Sequence, residues 1–332
     1  MVEESLITDE MRKSIGTQVF PDFPPETVDM WVIKRYLEAT TDENPLWKDL
    51  DYAEKSRWRG FVAPPGILEA FNPSNHAFRL YPDMSHMSLP FNPPFAKTFM
   101  AFNEWQIFEP VRPGDKLTSV CKIGDIYQRQ STSGSGRMVF IRLDNEHRNQ
   151  NNTLVGICSE AMVSMEGSSG KKKIEELPSA EEIKHQPVST DQIFYEDLDT
   201  DTYLPPLIKP FSLFTILKWA AAVNDYGPHH FDHQFATQML GMPNVIAHGP
   251  QNTAILAQLV TNWIGKEGML TRHYVEMRGN VFPGDTITYL GKVAKKYIQD
   301  GEAFVDIESW AENQNRRRVS LGKSTVILPQ RK

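Results

Sequence analysis

Titratable side chains are concentrated in one stretch of the chain, residues 219–254. Four of the nine histidines and two carboxylates fall within it: His229, His230, His233, His248, Asp225 and Asp232. Apolar segments precede and follow this stretch, so its polar groups would lie against hydrophobic walls. Proton-transfer chemistry needs this combination, because a positioned acid or base depends on its surroundings for a suitable pKa.

The local structure around Asp225 follows from apolar spacing and proline. Apolar residues recur at helical intervals over 213–223, with Ser212 as the candidate N-cap. Gly227-Pro228 cannot continue this helix, so we expect it to end near Asp225. The turn that follows should bring His230 to the same side as Asp225.

A second helix is predicted to begin at Gly249-Pro250, because proline suits the first turn of a helix. The backbone N–H of Gly249 would then lie at a helix N-terminus, where an oxyanion can bind. An acid/base pair and an oxyanion donor suit the addition of water to a double bond conjugated with a thioester. A base activates the water, an acid protonates the α-carbon, and the thioester oxygen carries negative charge in between.

The spacing of these residues resembles the signature of the MaoC-like, R-specific enoyl-CoA hydratases (the hydratase 2 family). Asp225 matches the catalytic aspartate of the family, and His230 matches the catalytic histidine five positions on. Asp232 and Ala236 match the positions that follow, and His248-Gly249 matches a His-Gly pair whose glycine N–H holds the thioester oxygen. The sequence departs from the pattern at three neighbouring positions: Asn224, Gly227 and His229. Because the two catalytic positions are intact, we expect these departures to change the shape of the accepted substrate more than the reaction.

The resemblance implies a hydro-lyase of fatty acid metabolism that interconverts an enoyl thioester and a 3-hydroxyacyl thioester, with a bulky or branched acyl group as one option. It implies Asp225, His230 and Gly249 as catalytic residues, with His248 binding substrate. Arg278 precedes a Pro-Gly-Asp turn at 283–285, where a basic residue would contact coenzyme A phosphate. An exposed strand arginine is the alternative. The acyl carrier is coenzyme A or acyl carrier protein.

The chain also contains an internal duplication. A shift of 183 residues superimposes seven identical residues of the two copies: Ala39, Asp42, Pro45, Asp49, Ala53, Val62 and Gly66 on Ala222, Asp225, Pro228, Asp232, Ala236, Val245 and Gly249. The first copy has Trp47 in place of His230 and Pro65 in place of His248. We therefore expect the first half to be non-catalytic. Trp47 would either line an acyl pocket or fill the space that the lost site left.

Each half reads as a helix followed by long strands. The strand-like runs are Phe102–Phe108, Leu117–Tyr127, Met138–Leu143, Leu154–Met165, Tyr274–Phe282, Thr286–Val293, Ala303–Trp310 and Val319–Leu328. This pattern resembles an α+β tandem (double) hotdog, in which a long antiparallel sheet wraps a central helix in each half. The central helices would follow Gly66 and Gly249, and the irregular segment 68–99 would be a lid, a pocket wall or a surface insertion.

The expected domains are an N-terminal hotdog (1–166), a polar linker (167–190) and a C-terminal MaoC-like hotdog (191–332). A net charge of −7 without a basic block argues against nucleic acid as a partner. No apolar run has the length of a membrane span, and Cys121 and Cys158 fit a reducing cytoplasm. No phosphate-binding glycine motif is present, so no cofactor is expected. A homodimer formed through sheet edges is a further expectation.

Three other functions compete with hydration. The clustered histidines and aspartates are ligand types that suit zinc or iron, although their spacing matches no known metal motif, and we expect no metal. A hotdog thioesterase would cleave the thioester and leave the double bond, but lacks this Asp–His spacing. A non-catalytic acyl-binding subunit of a heteromeric dehydratase would not need the intact Asp225/His230 pair.

Overall fold

The computed structural model describes residues 5–75, 89–95, 97–131, 136–167 and 188–331. The α-helices are α1 (Asp9–Ser14), α2 (Met30–Thr40), α3 (Pro45–Lys48), α4 (Leu50–Glu54), α5 (Leu213–Val223) and α6 (Gly249–Ile264). The strands of the first half are β1 (Glu26–Thr27), β2 (Lys97–Ile107), β3 (Lys116–Gln130), β4 (Arg137–Arg148) and β5 (Leu154–Met165). Those of the second half are β6 (Leu207–Pro210), β7 (Met269–Met277), β8 (Thr286–Gln299), β9 (Glu302–Asn313) and β10 (Arg318–Leu328).

These strands form one ten-stranded sheet in the order β1-β3-β4-β5-β2-β7-β10-β9-β8-β6. The two halves meet where β2 pairs antiparallel with β7, with Asn103 opposite Val275 and Trp105 opposite His273. Each half contributes five strands in an equivalent order, as the duplication predicts. The predicted α+β architecture of helices and long antiparallel strands is therefore confirmed.

The strand bounds differ from the sequence expectation at the junction of the halves. β2 begins at Lys97 rather than Phe102 and contains a register shift between Met100 and Phe102. β7 ends at Met277 rather than Phe282, because the N–H groups of the next two residues both bond to the Val319 carbonyl. An irregular strand obscures the period-two pattern, so its ends are hard to read from sequence.

The turns between the first two long strands of each half repeat in atomic detail. Asp115 Oδ2 accepts from the backbone N–H of Arg112 at 2.7 Å, and Asp285 Oδ2 accepts from that of Phe282 at 2.8 Å. The carbonyl oxygens of the same aspartates accept from Val28 and Phe211, each at 2.8 Å. Equivalent residues make equivalent bonds, so the duplication extends to the backbone.

The central elements of the two halves differ. In the second half, α6 has 16 residues and is almost entirely buried against the sheet. In the first half, the segment around Gly66 is a seven-residue 3-10 helix, Pro65–Phe71. The predicted central segment after Gly66 is therefore helical, but of the 3-10 type up to Phe71, with further helical residues at 73–75 where the described range ends. Part of the predicted lid, 76–88, and most of the linker lie outside the described residues.

Candidate active site

Helix α5 and its C-terminal cap position Asp225. Ser212 and Thr215 form a capping box at the start of the helix, as the N-cap prediction required. The helix ends at Asn224, which adopts the left-handed conformation with φ of 59°. This turns the chain so that Asp225 leaves the helix axis, and its Oδ1 accepts from the Gly227 N–H at 3.3 Å. The Asp225 side chain is 17% exposed, so water or substrate can reach it.

A short 3-10 turn, Pro228–His230, carries the histidine to the same place. The Nδ1–H of His230 donates to the carbonyl of Ile246 at 2.8 Å. Because a carbonyl only accepts, the proton of the neutral ring resides on Nδ1, and Nε2 is left as an acceptor. The Ile246 N–H in turn donates to the carbonyl of His229 at 3.2 Å, which ties the two segments together.

His248 lies between Asp225 and His230. Its ring stacks on His230 with a centroid separation of 3.5 Å and an interplanar angle of 22°. Its Nε2–H donates to the Asp225 carbonyl oxygen at 3.1 Å and lies 3.7 Å from Asp225 Oδ2. The side chain is fully buried, and its Nδ1 is a buried atom without a hydrogen-bond partner. His248 therefore contacts both members of the predicted pair.

One ligand atom from each of Asp225, His230 and His248 lies within 4.8 Å of the others, and we call these residues the Asp-His-His cluster. Burial lowers the pKa of His248 to about 3. Burial and then the neighbouring His248 lower the pKa of His230 well below its ordinary value. Both rings are thus neutral near pH 7. This geometry can hold a water molecule between an acceptor nitrogen and a carboxylate, and its donor set could also bind a metal ion.

Gly249 begins α6 beside this cluster, as predicted. A Cβ at this position would lie 2.7 Å from the Sδ of Met100 and 3.3 Å from the Cε of Met277. A side chain at this position would require the Met100 side chain of β2, and by a smaller amount that of Met277 on β7, to move. The Gly249 N–H is at the first position of the helix, where no intrahelical acceptor exists. Any group that this N–H binds would therefore lie next to Met100 of β2 and Met277 of β7.

The matching place in the first half is closed. A Cβ at Gly66 would overlap the Tyr36 hydroxyl and would lie 2.5 Å from the Trp105 ring. Asp42 remains, but it is buried and caps the turn by accepting from the Asn44 N–H at 3.0 Å. Burial raises the pKa of Asp42 to about 6. The first copy of the motif therefore keeps the shape of the turn while aromatic rings occupy the space beside its glycine.

Trp47 is not brought together with the Asp-His-His cluster. It is 5% exposed and lines a cavity of about 50 Å³ that includes no member of the cluster. The other walls of this cavity come from both halves and include Trp58, Val62, Ile264 and Met269. This position separates Trp47 from the Asp-His-His cluster, and both roles of Trp47, pocket lining and space filling, stay predictions.

Arg278 follows Met277 directly and so lies one residue from the side chain that abuts Gly249. Its guanidinium donates to Glu276 Oε2 at 2.7 Å, and its side chain is 31% exposed. The residue is close to the cluster along the chain, but its charge is already paired. A ligand phosphate would have to compete with Glu276.

Several contacts of the site escaped the sequence reasoning. The Ile246 carbonyl that fixes the His230 ring carries no side-chain signal at all. Met100 lies between the irregular segment 68–99 and the predicted strand that begins at Phe102, so it was assigned to neither. A third unforeseen feature is the buried carboxylate of Glu69 with its amide partners Asn72 and Asn103, whose only sequence signal is one charge within the apolar run of residues 67–71.

Comparisons with known proteins agree with this geometry. Residues 15–157 match the family model "FAS1-like, dehydratase domain region", and residues 208–311 match the "MaoC like domain". The chain thus combines a FAS1-like dehydratase region in its first half with a MaoC-like domain in its second half. No curated protein matches the chain significantly in sequence.

Solved structures extend the likeness to nearly the whole chain. A MaoC-like dehydratase superimposes with a TM-score of 0.72 at 18% identity, covering 95% of this chain and 98% of its own. A MaoC domain dehydratase from Chloroflexus aurantiacus gives a TM-score of 0.68 at 13% identity, covering 96% of each chain. A Mycobacterium tuberculosis protein described as a double hotdog gives 0.62 at 11% identity, covering 94% of this chain and 96% of its own. The double-hotdog fold is thereby confirmed. Among the described residues, no helix combines the length and apolarity needed to cross a bilayer.

Proposed function

We propose that this protein catalyses the reversible hydration of an enoyl thioester to an (R)-3-hydroxyacyl thioester, as part of fatty acid metabolism. The observation that carries the proposal is the convergence of Asp225 and His230 beside the N–H of Gly249. The Asp-His-His cluster brings a ring nitrogen of His230 and a carboxylate oxygen of Asp225 within 4.8 Å of each other. The R configuration rests on the resemblance to R-specific hydratases. The carrier is coenzyme A or acyl carrier protein.

In the proposed reaction, one water molecule donates its two hydrogens to His230 Nε2 and to the Asp225 carboxylate. His230 takes a proton as the water oxygen forms a bond to the β-carbon of the substrate. Electrons of the double bond shift to the thioester oxygen, which the Gly249 N–H stabilises as an enolate. The resulting imidazolium is stabilised by the Asp225 carboxylate and returns the proton to the α-carbon on the same face. Dehydration follows the same steps in reverse.

His248 positions this pair in the proposal. Its Nε2–H is already bound to the Asp225 carbonyl and its ring stacks on His230, so it holds both groups in place. The low pKa of His248, a consequence of burial, keeps the ring neutral and avoids a positive charge against His230. Contact with substrate, which the resemblance implied for His248, would use the remaining Nδ1. Arg278 is proposed to contact the phosphate of the carrier, and Trp47 to fill space in the first half.

The test is hydration of crotonyl-CoA and of a bulky enoyl-CoA, followed by the loss of absorbance of the conjugated thioester. Asp225→Asn and His230→Ala should each lower kcat by at least ~100-fold, the size expected for removing a general acid/base group. Asp42→Asn makes the same change in the duplicated copy of the motif, and we expect it to leave kcat within ~3-fold of the wild type.

Three results would overturn the proposal. Activity that survives both active-site substitutions would remove the Asp–His pair from the mechanism. Release of free thiol while the double bond persists would identify a thioesterase. Loss of hydration on treatment with a chelator, restored by zinc, would show that the Asp-His-His cluster holds a catalytic metal.

A further inference from the structure

Helices α2 and α5 are equivalent elements of the duplication, and they pack on each other. Each has 11 residues, and each is followed by a residue in the left-handed conformation, Thr41 or Asn224. The rings of Tyr36 and Trp219, which the shift of 183 residues relates, lie 5.5 Å apart. Contact between equivalent residues is the mark of a two-fold axis. The axis that relates the two halves therefore passes between these two rings.

A surface cleft of about 390 Å³ lies over the first copy of the motif. Asp42 and Trp47 line it, together with residues of α2 and α3. One wall residue comes from the other half of the chain, namely Lys218 on α5. A cationic side chain of the second half thus reaches across the axis to the motif of the first half.

The same reach is expected in the opposite direction. Under two-fold symmetry, each contact from the second half to the first is repeated from the first half to the second. The counterpart of Lys218 is Arg35 on α2, and the counterparts of the two motif residues are Asp225 and His230. The symmetry therefore places Arg35 at the cleft over the proposed reaction centre.

The guanidinium of Arg35 is available to a ligand. The residue is exposed, and within the part of the chain that the structure describes its side chain forms no hydrogen bond or ion pair. Arg278, by contrast, already pairs with Glu276 at 2.7 Å. A ligand phosphate must compete with a carboxylate at Arg278, whereas it meets no such competitor at Arg35.

The two clefts differ in the charge of their walls. In the first half, the carboxylates of Glu38 and Glu43 would repel a phosphate. The charged wall residues on α2, on α3 and between them are Lys34, Glu38, Glu43 and Lys48, and their counterparts in the second half are Leu217, Ala221, Tyr226 and Phe231. The cleft over the reaction centre thus has an uncharged, mainly apolar rim. This rim suits the pantetheine arm of a carrier, and it leaves the charge of Arg35 unopposed at these positions.

We propose that Arg35, a residue of the non-catalytic half, binds a phosphate of the acyl carrier while the thioester reacts at Asp225 and His230. This rests on the proposed hydration of an enoyl thioester and adds a carrier-binding residue to it. A planar guanidinium can form two parallel hydrogen bonds with phosphate oxygens, so arginine suits this role. Coenzyme A and the prosthetic group of acyl carrier protein both have a phosphate at the end of the pantetheine arm. The shared ligand is therefore the phosphate.

The test compares crotonyl thioesters of coenzyme A, of phosphopantetheine and of pantetheine, which has no phosphate. Arg35→Ala should raise KM for crotonyl-CoA at least ~5-fold, the size expected for one charge-assisted contact at an exposed site. It should leave kcat unchanged, because the contact is the same in the ground state and the transition state. For crotonyl-pantetheine, both constants should stay at the wild-type values. Arg35→Lys keeps the charge and should remain within ~3-fold of the wild type.

The phosphopantetheine thioester identifies which phosphate is bound. If Arg35→Ala raises KM for this substrate as well, the contact is to the pantetheine phosphate, which coenzyme A shares with acyl carrier protein. If the increase is confined to crotonyl-CoA, the contact is to a phosphate of the nucleotide. Either result supports the proposal.

Lys218→Ala is the matched control, because it makes the same change at the counterpart position over the first copy of the motif. It should leave KM for crotonyl-CoA within ~2-fold of the wild type. Equal increases in KM for crotonyl-CoA and crotonyl-pantetheine on Arg35→Ala would show a structural role and overturn the inference. An unchanged KM for crotonyl-CoA would also overturn it, while leaving the hydratase proposal intact. A wild type that hydrates none of the three thioesters would overturn the hydratase proposal and this inference with it.

Discussion

Glu69→Gln should change how the stability of the protein depends on pH. Burial, above all, raises the pKa of Glu69 from 4.5 to about 7 in the folded protein. Between these pH values the unfolded chain has released this proton while the folded chain keeps it. The unfolded state binds fewer protons, so the wild-type free energy of unfolding should fall by about 1.4 kcal/mol per pH unit. Below this pH range both states are protonated at this carboxyl, and it does not change the free energy of unfolding. Above this pH range the carboxyl is ionised in both states, and the total decrease in the free energy of unfolding levels off at about 3 kcal/mol.

A glutamine does not titrate, and its carbonyl oxygen can keep the bonds from Trp105 and Asn103. The free energy of unfolding of the wild type should therefore fall by about 2–3 kcal/mol between pH 5 and pH 8 relative to that of Glu69→Gln. Urea unfolding at both pH values measures the gain, with constant m-values as the check on two-state behaviour. Glu54→Gln, at an exposed residue of α4, is the control and should follow the wild type. Parallel pH dependence of the wild type and Glu69→Gln would refute the argument that this carboxyl holds its proton through burial.

Three further predictions concern the proposed site. The neutral ring of His230 is the active form, and burial lowers the pKa of this ring. The fall of kcat/KM on the acid side of the pH profile should therefore lie well below pH 6.5. A fall centred at or above pH 6.5 would exclude His230 as the base. Gly249→Ala should reduce kcat at least ~10-fold, because the added methyl displaces the oxyanion donor. Gly66→Ala makes the same change in the first half and should leave kcat unchanged. It should instead lower the free energy of unfolding in urea by about 1–3 kcal/mol, because its methyl group would clash with Trp105. Zinc should inhibit by occupying the Asp-His-His cluster and a chelator should reverse this; zinc-resistant activity would show that the three ligands do not converge in solution.

Local signals were sufficient to predict much of the proposed site. Ser212, the helical spacing up to 223 and Gly227-Pro228 all act within a few residues of one another. They place the end of α5 and the turn that follows it, and the structure brings His230 to Asp225 as expected. The Pro-Gly-Asp turns were equally readable, because their hydrogen bonds are formed mainly within the turn.

Contacts between distant segments could not be predicted in the same way. The stacking of His248 on His230 and the bond from His230 to the Ile246 carbonyl depend on where α6 meets the turn. The position of Glu69 depends on which strand faces the 3-10 helix. A sequence shows that a charge interrupts an apolar run, but only the pairing of β2 with β5 shows that Asn103 and Glu160 meet it.

The two halves show what duplication permits. Both halves keep the aspartate-bearing turn and the glycine that begins the central element. In the half without the histidine, Asp42 still accepts a hydrogen bond from the Asn44 N–H. These features therefore have a structural role that does not depend on catalysis. The proposed catalytic half is distinguished by groups that a turn alone does not require, namely His230, His248 and a Gly249 that faces methionine side chains instead of aromatic rings. The first half lacks these groups and instead places the buried residues Glu69 and Asn103 near the junction with β7. An aspartate in this motif is thus weak evidence for activity, and the histidines beside it are the stronger criterion.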